Sequence, residues 1–570
     1  MGGSEPAATV AVDSTPPDQP DPAVGHPEPP TAPVPAQHPE PTTDPTPAQY
    51  PARPVFRGLS PRASFWLTFV LFFGITALWA LSSPPMSSVD EAQHAIKAAA
   101  VVRGEFLGDQ SGQRLGSGVV LVPELFREST FLPLCYATDP EQNATCQPVL
   151  GTRLAVTTTA VTSAVRYNPL YYALAGLPSL VSNSMLTFYL MRLVSALLAA
   201  WLLALVVRTL TEVGRSFWPL AGLLVAVVPM VFYLAGSINP QSVEIPAAVL
   251  VWVTLLALLR TPVDALLTRR LVRLTIGVVL LANVRGLGPP LLAGMVVAVV
   301  AGSRWRPMIA LLAHRRTWLA GFLGLAAVAT ALVWTQRAGT LTLTRGQGFP
   351  GYIGETIVRK SLETTSAYLE QTIGVFGWLN VPMPVWTYFV AVGLLLVVIV
   401  LGFALARWRE QLAMLGVAVV VLGLPIYAEY QESRFIGHFW QGRYVLPLAV
   451  GVPLLAGFAM HNAERTVPYW IGRRLLLTLG VGVALLQAHA VGVNLRRYVN
   501  GTAELAGWVR INPGSWRPPL LHPYALVGAS LALWLVLAVV LVRAANGGHP
   551  NTTGKRMKTA GSTGIRSRRS

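Results

Sequence analysis

The chain has 570 residues, of which 53% are hydrophobic and only 12% charged, with a mean hydropathy of +0.51. Soluble domains carry about 25% charged residues, so a soluble enzyme is excluded, as is a DNA-binding protein despite the net charge of +17. Two cysteines exclude a disulfide scaffold or a cysteine-rich zinc protein, and what remains is an all-α polytopic membrane protein.

The charge is unevenly spread. Residues 1–50 hold seven acids, no Lys or Arg, and fourteen of the 45 prolines. They have no hydrophobic period and too little apolar surface to fold, so 1–60 is expected to be a disordered, Pro-rich cytoplasmic tail. The rest of the chain sets 43 basic residues against 19 acidic ones. In a membrane protein that excess marks the loops kept in the cytoplasm, and no nucleic-acid partner is expected.

A spanning helix needs about 20 mostly apolar residues. Such stretches are 63–82, 184–207, 217–236, 242–260, 317–335, 385–406, 411–428, 444–461, 475–493 and 523–543. The stretch 272–301 is too long for one helix and is interrupted by Asn283, Arg285, Gly286, Gly288, Pro289 and Pro290. Arg269, Arg270 and Arg273 precede it; Arg304, Arg306, Arg315 and Arg316 follow it. With both flanks cationic, the chain must cross and return, as helices 272–283 and 287–301 with Arg285 at the turn. This predicts about 12 spans in a domain over 61–545, with both termini cytoplasmic and a basic, disordered tail over 546–570. Arg496 and Arg497 are the exception, falling on the outer side in a longer loop. The large outer loops are 83–183 and 336–384, while the inner ones are too short for a nucleotide-binding domain. Cys135 and Cys146 share the first outer loop, where an oxidising compartment favours a disulfide.

Polar clusters gather at the outer span ends. Just after the first span comes Pro84-Pro85-Met86-Ser87-Ser88-Val89-Asp90-Glu91-Ala92-Gln93-His94, opening an amphipathic helix expected to lie along the outer surface. Asp90, His94 and Lys97 have i, i+4, i+7 spacing and share one face. A carboxylate there can act as general base for an acceptor hydroxyl. Ser88 and Glu91 also match a capping box, which leaves Glu91 open between cap and site. Residues 169–182 are apolar but too short to span, and Tyr171 in Asn168-Pro169-Leu170-Tyr171-Tyr172 is expected at head-group depth, by belt or by stacking.

Asn239 and Glu244 sit in a short outer turn at the start of a span, where acids are rare. Arg285, among glycines at the hairpin tip, suits a phosphate. The segment Glu429 to Tyr444 is charged and expected to be mostly solvated, except Arg443 and Tyr444 at the hydrocarbon boundary. No metal motif, Walker loop or G-x-S-x-G stands out, so no cofactor is assigned and a divalent metal stays open.

The order P-P-x-x-x-x-D-E-x-x-H, N-P-L-Y-Y, N-P-x-x-x-E, an N-x-R-G hairpin and Q-G-R-Y resembles the bacterial membrane family called domain of unknown function 2142, over roughly 60–545. That family is grouped with the class C glycosyltransferases. More distantly the layout is similar to protein O-mannosyltransferases and aminoarabinose transferases, which use sugars linked to polyprenyl phosphate. The resemblance implies Asp90 as the acidic base and Arg285 as the phosphate-binding residue, where the relatives often have Lys. The expected function is therefore transfer of a sugar from a polyprenyl-phosphate donor to an envelope glycan or glycolipid acceptor. Asp90, Glu91 and His94 form the catalytic group; Arg285, Arg443, Tyr444, Glu244, Asn239 and Tyr171 bind substrate. The protein would lie in the plasma membrane, among its lipids, with its site facing outside. A flippase of a lipid-linked saccharide is the rival reading, and a structural partner of an envelope complex the third.

Overall fold

A computed structural model describes residues 58–111, 116–214, 216–340, 353–463, 469–501 and 515–546. The Pro-rich acidic tail and the basic tail lie outside the described residues.

Nine helices among the described residues are long and apolar enough to cross a membrane: Pro61–Leu81, Met185–Thr211, Gln241–Arg260, Arg315–Arg337, Val385–Leu405, Trp408–Ile436, Gly442–Asn462, Trp470–Asn500 and Pro523–Asn546. Two bent pairs raise the number to eleven. The protein is therefore an all-α polytopic membrane protein, and nine to eleven of the about 12 expected spans meet this length and hydropathy test among the described residues.

The differences have local causes. Leu267–Val284 is a helix of 18 residues that begins five residues before the expected 272–283 and carries three arginines in its first turns. Two of those charges meet neighbouring helix ends, while Arg269 is exposed. Arg270 donates to Ala257 O (2.7 Å) and Thr261 O (2.6 Å), and Arg273 pairs with Glu212 at 2.7 and 2.8 Å. The expected span 217–236 is broken into Trp218–Ala226 and Pro229–Ala235, bent by 66°. Pro229 has no N–H to donate and keeps Val228 extended, so the helix cannot continue. After Gly288–Ala301 the chain turns by 120° into Trp305–Leu312.

The Gln241–Arg260 helix is the centre of the bundle, with nearly every residue buried. Its Trp252 indole donates to Pro447 O at 2.9 Å. Close packing depends on small residues. A Cβ on Gly222 would lie 2.5 Å from Pro453 O, and one on Gly457 would lie 2.7 Å from Trp218 O, so these two helices approach backbone to backbone.

Connections alternate between two ends. At one end Leu59 N–H donates to Arg543 O, Arg270 and Arg273 meet the Glu212 turn, and Arg260 pairs with Glu410. The other end is capped by the long connection between the first two spans. Within it Gly118–Pro123 pairs antiparallel with Thr157–Thr162, Gly118 opposite Thr162 and Pro123 opposite Thr157. Cys135 and Cys146 are joined by a disulfide. Arg497, the misfit of the charge pattern, is buried and donates to Tyr136 O, Gln142 O and Asp139 O of this cap. Its charge organises a turn of the cap.

The helix after the first span is Glu91–Val101, and it does not lie on the surface as expected. Ala92, Ala95, Ile96 and Ala98 to Val101 are buried, and so are Glu91, His94 and Lys97. Its alanines let other chain segments close over it, and a Cβ on Gly176 would lie 2.2 Å from Ala98 O. The helix Pro169–Ala175 is short, as expected, and Tyr171 and Tyr172 are buried against other side chains. The Trp408–Ile436 helix takes in the expected solvated segment from Glu429, and Glu429 is fully buried. It accepts the N–H groups of Phe439 (3.1 Å) and Trp440 (2.6 Å) and pairs with His438 at 3.1 Å.

Candidate active site at the capped end

Asp90 precedes the Glu91–Val101 helix in a left-handed conformation, φ 61°, and Met86 four residues earlier has φ 65°. Such backbone is uncommon for residues with a side chain, although Asp tolerates it best. A second connection holds it in place: Val89 N–H donates to Gly377 O (3.2 Å) and Trp378 Nε1 to Met86 O (3.4 Å). The Asp90 side chain is 43% exposed, and its Oδ2 accepts from Arg443 Nη2 at 3.1 Å.

All four residues of Gln441-Gly442-Arg443-Tyr444 have identifiable work. A Cβ on Gly442 would lie 2.0 Å from Tyr368 O, so only glycine admits this approach. Gln441 Oε1 accepts from Arg443 Nε at 2.6 Å and aims the guanidinium. The Arg443 guanidinium lies 5.5 Å from the Tyr444 ring centre, and that of Arg285 lies 4.7 Å from the same ring. One aromatic ring thus gathers two cations that are 158 residues apart.

Arg285 stands at the break between Leu267–Val284 and Gly288–Ala301, with extended backbone. It donates to Glu244 Oε2 at 3.1 Å. Glu244 is fully buried in the first turn of the central helix, and its Oε1 has no hydrogen-bond partner among the described residues. Gln241, one turn earlier, donates to Arg443 O at 3.1 Å.

His94 is buried, with Nδ1 2.8 Å from the Tyr172 hydroxyl and its ring edge-on to Tyr167. Burial pushes its pKa down to about 3; Asp90 opposes the shift, and Arg443 and Arg285 add to it. The imidazole is therefore neutral. Lys97 turns away from Asp90, donating to Phe106 O and to Val165 O (2.8 Å), and burial lowers its pKa to about 8.

Other expected site residues fall behind this group. Glu91 meets Arg192 through two hydrogen bonds of 2.7 and 2.6 Å, and accepts Ile238 N–H (3.0 Å) and Ser88 N–H (3.4 Å). Every lone pair is occupied, so Glu91 ties the cap to the bundle. Asn239 Oδ1 accepts Gln241 N–H at 2.9 Å at the start of the central helix, and Tyr171 bonds Ser195 at 2.8 Å. The sequence reading passed over Tyr172, Gln441 and Arg192. A lone arginine inside a span was the available signal for Arg192. Tyr172 had none beyond its neighbour, because the helix rotation decides which tyrosine faces His94.

A cavity of about 360 Å³ adjoins the group, lined by Arg166, Tyr167, Asn168, Asn283, Arg285 and Trp334 among others. No group of three or more His, Cys, Asp or Glu residues able to hold a metal occurs among the described residues.

The family described as predicted membrane protein (DUF2142) matches residues 72–452. The chain belongs to the DUF2142 family. The match takes in every site element from Asp90 to Tyr444 and leaves Trp470–Asn500 and Pro523–Asn546 beyond it. No curated protein matches the chain.

Proposed function

We propose that this DUF2142 protein is an integral-membrane glycosyltransferase that moves a sugar from a polyprenyl-phosphate donor to an envelope glycan or glycolipid. The carrying observation is the half-exposed Asp90 carboxylate paired with Arg443, with Arg443 and Arg285 gathered on Tyr444. The acceptor hydroxyl binds the open side of Asp90. As its oxygen attacks the anomeric carbon, its proton passes to the carboxylate. The bond from that carbon to the phosphate oxygen breaks, and the electron pair leaves with the polyprenyl phosphate. Arg285 and Arg443 neutralise the leaving phosphate in a site already oriented for it. Neutral His94 and Tyr172 wall the site without adding a competing charge.

An apolar cavity of about 300 Å³, lined by Leu170, Leu198, Trp201, Leu280 and Val284, reaches the residue before Arg285 and suits the start of an isoprenoid chain. On the charge distribution, both termini are cytoplasmic and the site faces outside the plasma membrane. The broken Leu267–Ala301 hairpin favours the rival flippase, since transporters line their paths with interrupted helices. Purified protein, a polyprenyl-phosphate sugar and envelope acceptor extract decide between them. Transfer predicts a glycosylated product and free polyprenyl phosphate. Vesicle experiments that show movement of the lipid-linked saccharide without any new glycosidic bond would replace this reading with the rival.

A further inference from the structure

At the end of the bundle opposite Asp90 lies a cavity of about 730 Å³ lined by Arg260, Arg304, Arg407, Arg409 and Glu410 among others. Roughly 24 Å of central helix separates Glu244 from Arg260. Four arginines face one acid, and that acid is already occupied. Glu410 accepts Arg407 N–H (3.0 Å) and Asn462 Nδ2 (3.1 Å), and lies 3.1 Å from Arg260. The Arg260 side chain is only 4% exposed, yet none of its three nitrogens has a hydrogen-bond partner among the described residues. Among the described residues Glu410 alone balances its charge and is shared with other donors, so the buried guanidinium keeps unused donors for a further acceptor.

The cavity does not stand alone. Ser303, Arg304, Trp408 and Arg409 also border an apolar groove of about 720 Å³ between Gly288–Ala301 and Trp408–Ile436. The groove runs from Ser303 to Gly294 on one helix and from Trp408 to Val420 on the other. At 1.5 Å per residue that is roughly 14 to 18 Å, the depth of one leaflet of a hydrocarbon core about 30 Å thick. Trp305, 63% exposed, and Trp408, 64% exposed, stand where groove meets cavity, as tryptophans do at the membrane interface.

We propose that this groove and cavity form a second site, for an anionic phospholipid. Its phosphate neutralises Arg260 together with Arg304, Arg407 and Arg409, and one acyl chain fills the groove. The leaflet-length groove fits an acyl chain rather than a long isoprenoid, so the site is separate from any donor site at Asp90. It rests on the membrane-spanning fold and not on the proposed transfer reaction.

The test is thermal unfolding of the full chain in detergent, titrated with phosphatidylglycerol, phosphatidylcholine or inorganic phosphate. Phosphatidylglycerol is expected to raise the midpoint saturably, and the other two are not. In the triple variant Arg304→Gln, Arg407→Gln, Arg409→Gln, apparent affinity should fall on the order of 100-fold, since each cation near a lipid head group contributes about tenfold or less. Gly416 lines the groove, and nothing lies within 4 Å of a Cβ added there, so Gly416→Phe places its ring from an open position on the groove wall. It should lose the phosphatidylglycerol effect with an unchanged lipid-free midpoint, which keeps the test open even if the arginine variant fails to fold. Equal stabilisation by phosphatidylcholine, stabilisation by inorganic phosphate alone, or an undiminished effect in Gly416→Phe would each overturn the proposal.

Discussion

Asp90 and Arg443 are 353 residues apart in the chain, and their side chains meet at 3.1 Å. The pair joins the connection after the first span to the turn that opens the Gly442–Asn462 span. It holds a buried guanidinium against a carboxylate that keeps an exposed side at the mouth of the capped end. If the carboxylate is the base, Asp90→Asn keeps its shape and removes its basicity. Transfer should fall about 10²–10⁴-fold while donor binding changes little. Full activity in Asp90→Asn would remove it as base.

Arg285 and Glu244 form a buried pair, so Arg285→Ala alone leaves an uncompensated carboxylate and is expected to cost about 3–5 kcal/mol of stability. The double change Arg285→Met with Glu244→Gln should recover most of the thermal midpoint but neither donor binding nor turnover. Arg285→Lys should retain part of the donor affinity, because the point charge remains. Recovery of activity in the double variant would assign Arg285 to folding only.

Glu91 is expected to behave differently from its neighbour. Glu91→Gln leaves Arg192 buried without its counter-charge and should cost about 3–5 kcal/mol, read as a lowered midpoint in detergent. The residual folded protein should keep its donor affinity. A variant of normal stability with abolished transfer would return Glu91 to the site.

Two buried groups of the cap set a pH dependence. Folded His94 takes up a proton only near pH 3, and the unfolded imidazole near 6.5, so the unfolded state binds the extra proton between those values. This contribution is complete above pH 6.5 and is lost as pH falls towards 3. Folded Lys97 titrates near 8 and the unfolded side chain near 10.5, so its burial opposes folding below pH 8 and stability rises with pH from 8 to 10.5. Relative to Lys97→Met, the wild type should gain about 3 kcal/mol across that range. The transfer rate should show no step near pH 6.5 from His94, and such a step, absent in His94→Gln, would mean that the imidazole titrates in the folded site.

The native cysteines are joined to one another, so an introduced thiol is the reactive one. Val149, 98% exposed in the first connection, should be labelled as Val149→Cys by a membrane-impermeant reagent in intact cells. Gly547→Cys should be protected until the membrane is opened. The opposite pattern would invert the orientation.

Composition and periodicity determined the class of this protein, because a bilayer demands long apolar helices whatever they pack against. The cationic flanks of 272–301 also predicted a return at Arg285, and the break lies there. Candidate site residues were legible where a charge stood against an apolar background, as with Asp90, Glu244, Arg285 and Arg443. Their partners were not legible, since ion pairs across 41 or 353 residues depend on helix rotation and on which connections close over an end. Tertiary structure alone decided that Glu91–Val101 is buried and that Glu91 belongs to Arg192. It also decided that Tyr172 rather than Tyr171 faces His94. An alanine-rich helix with one polar face reads as a surface helix until the rest of the cap covers it, and only that cover shows that Glu91, His94 and Lys97 are buried while Asp90, at its start, pairs with Arg443 and keeps an exposed side.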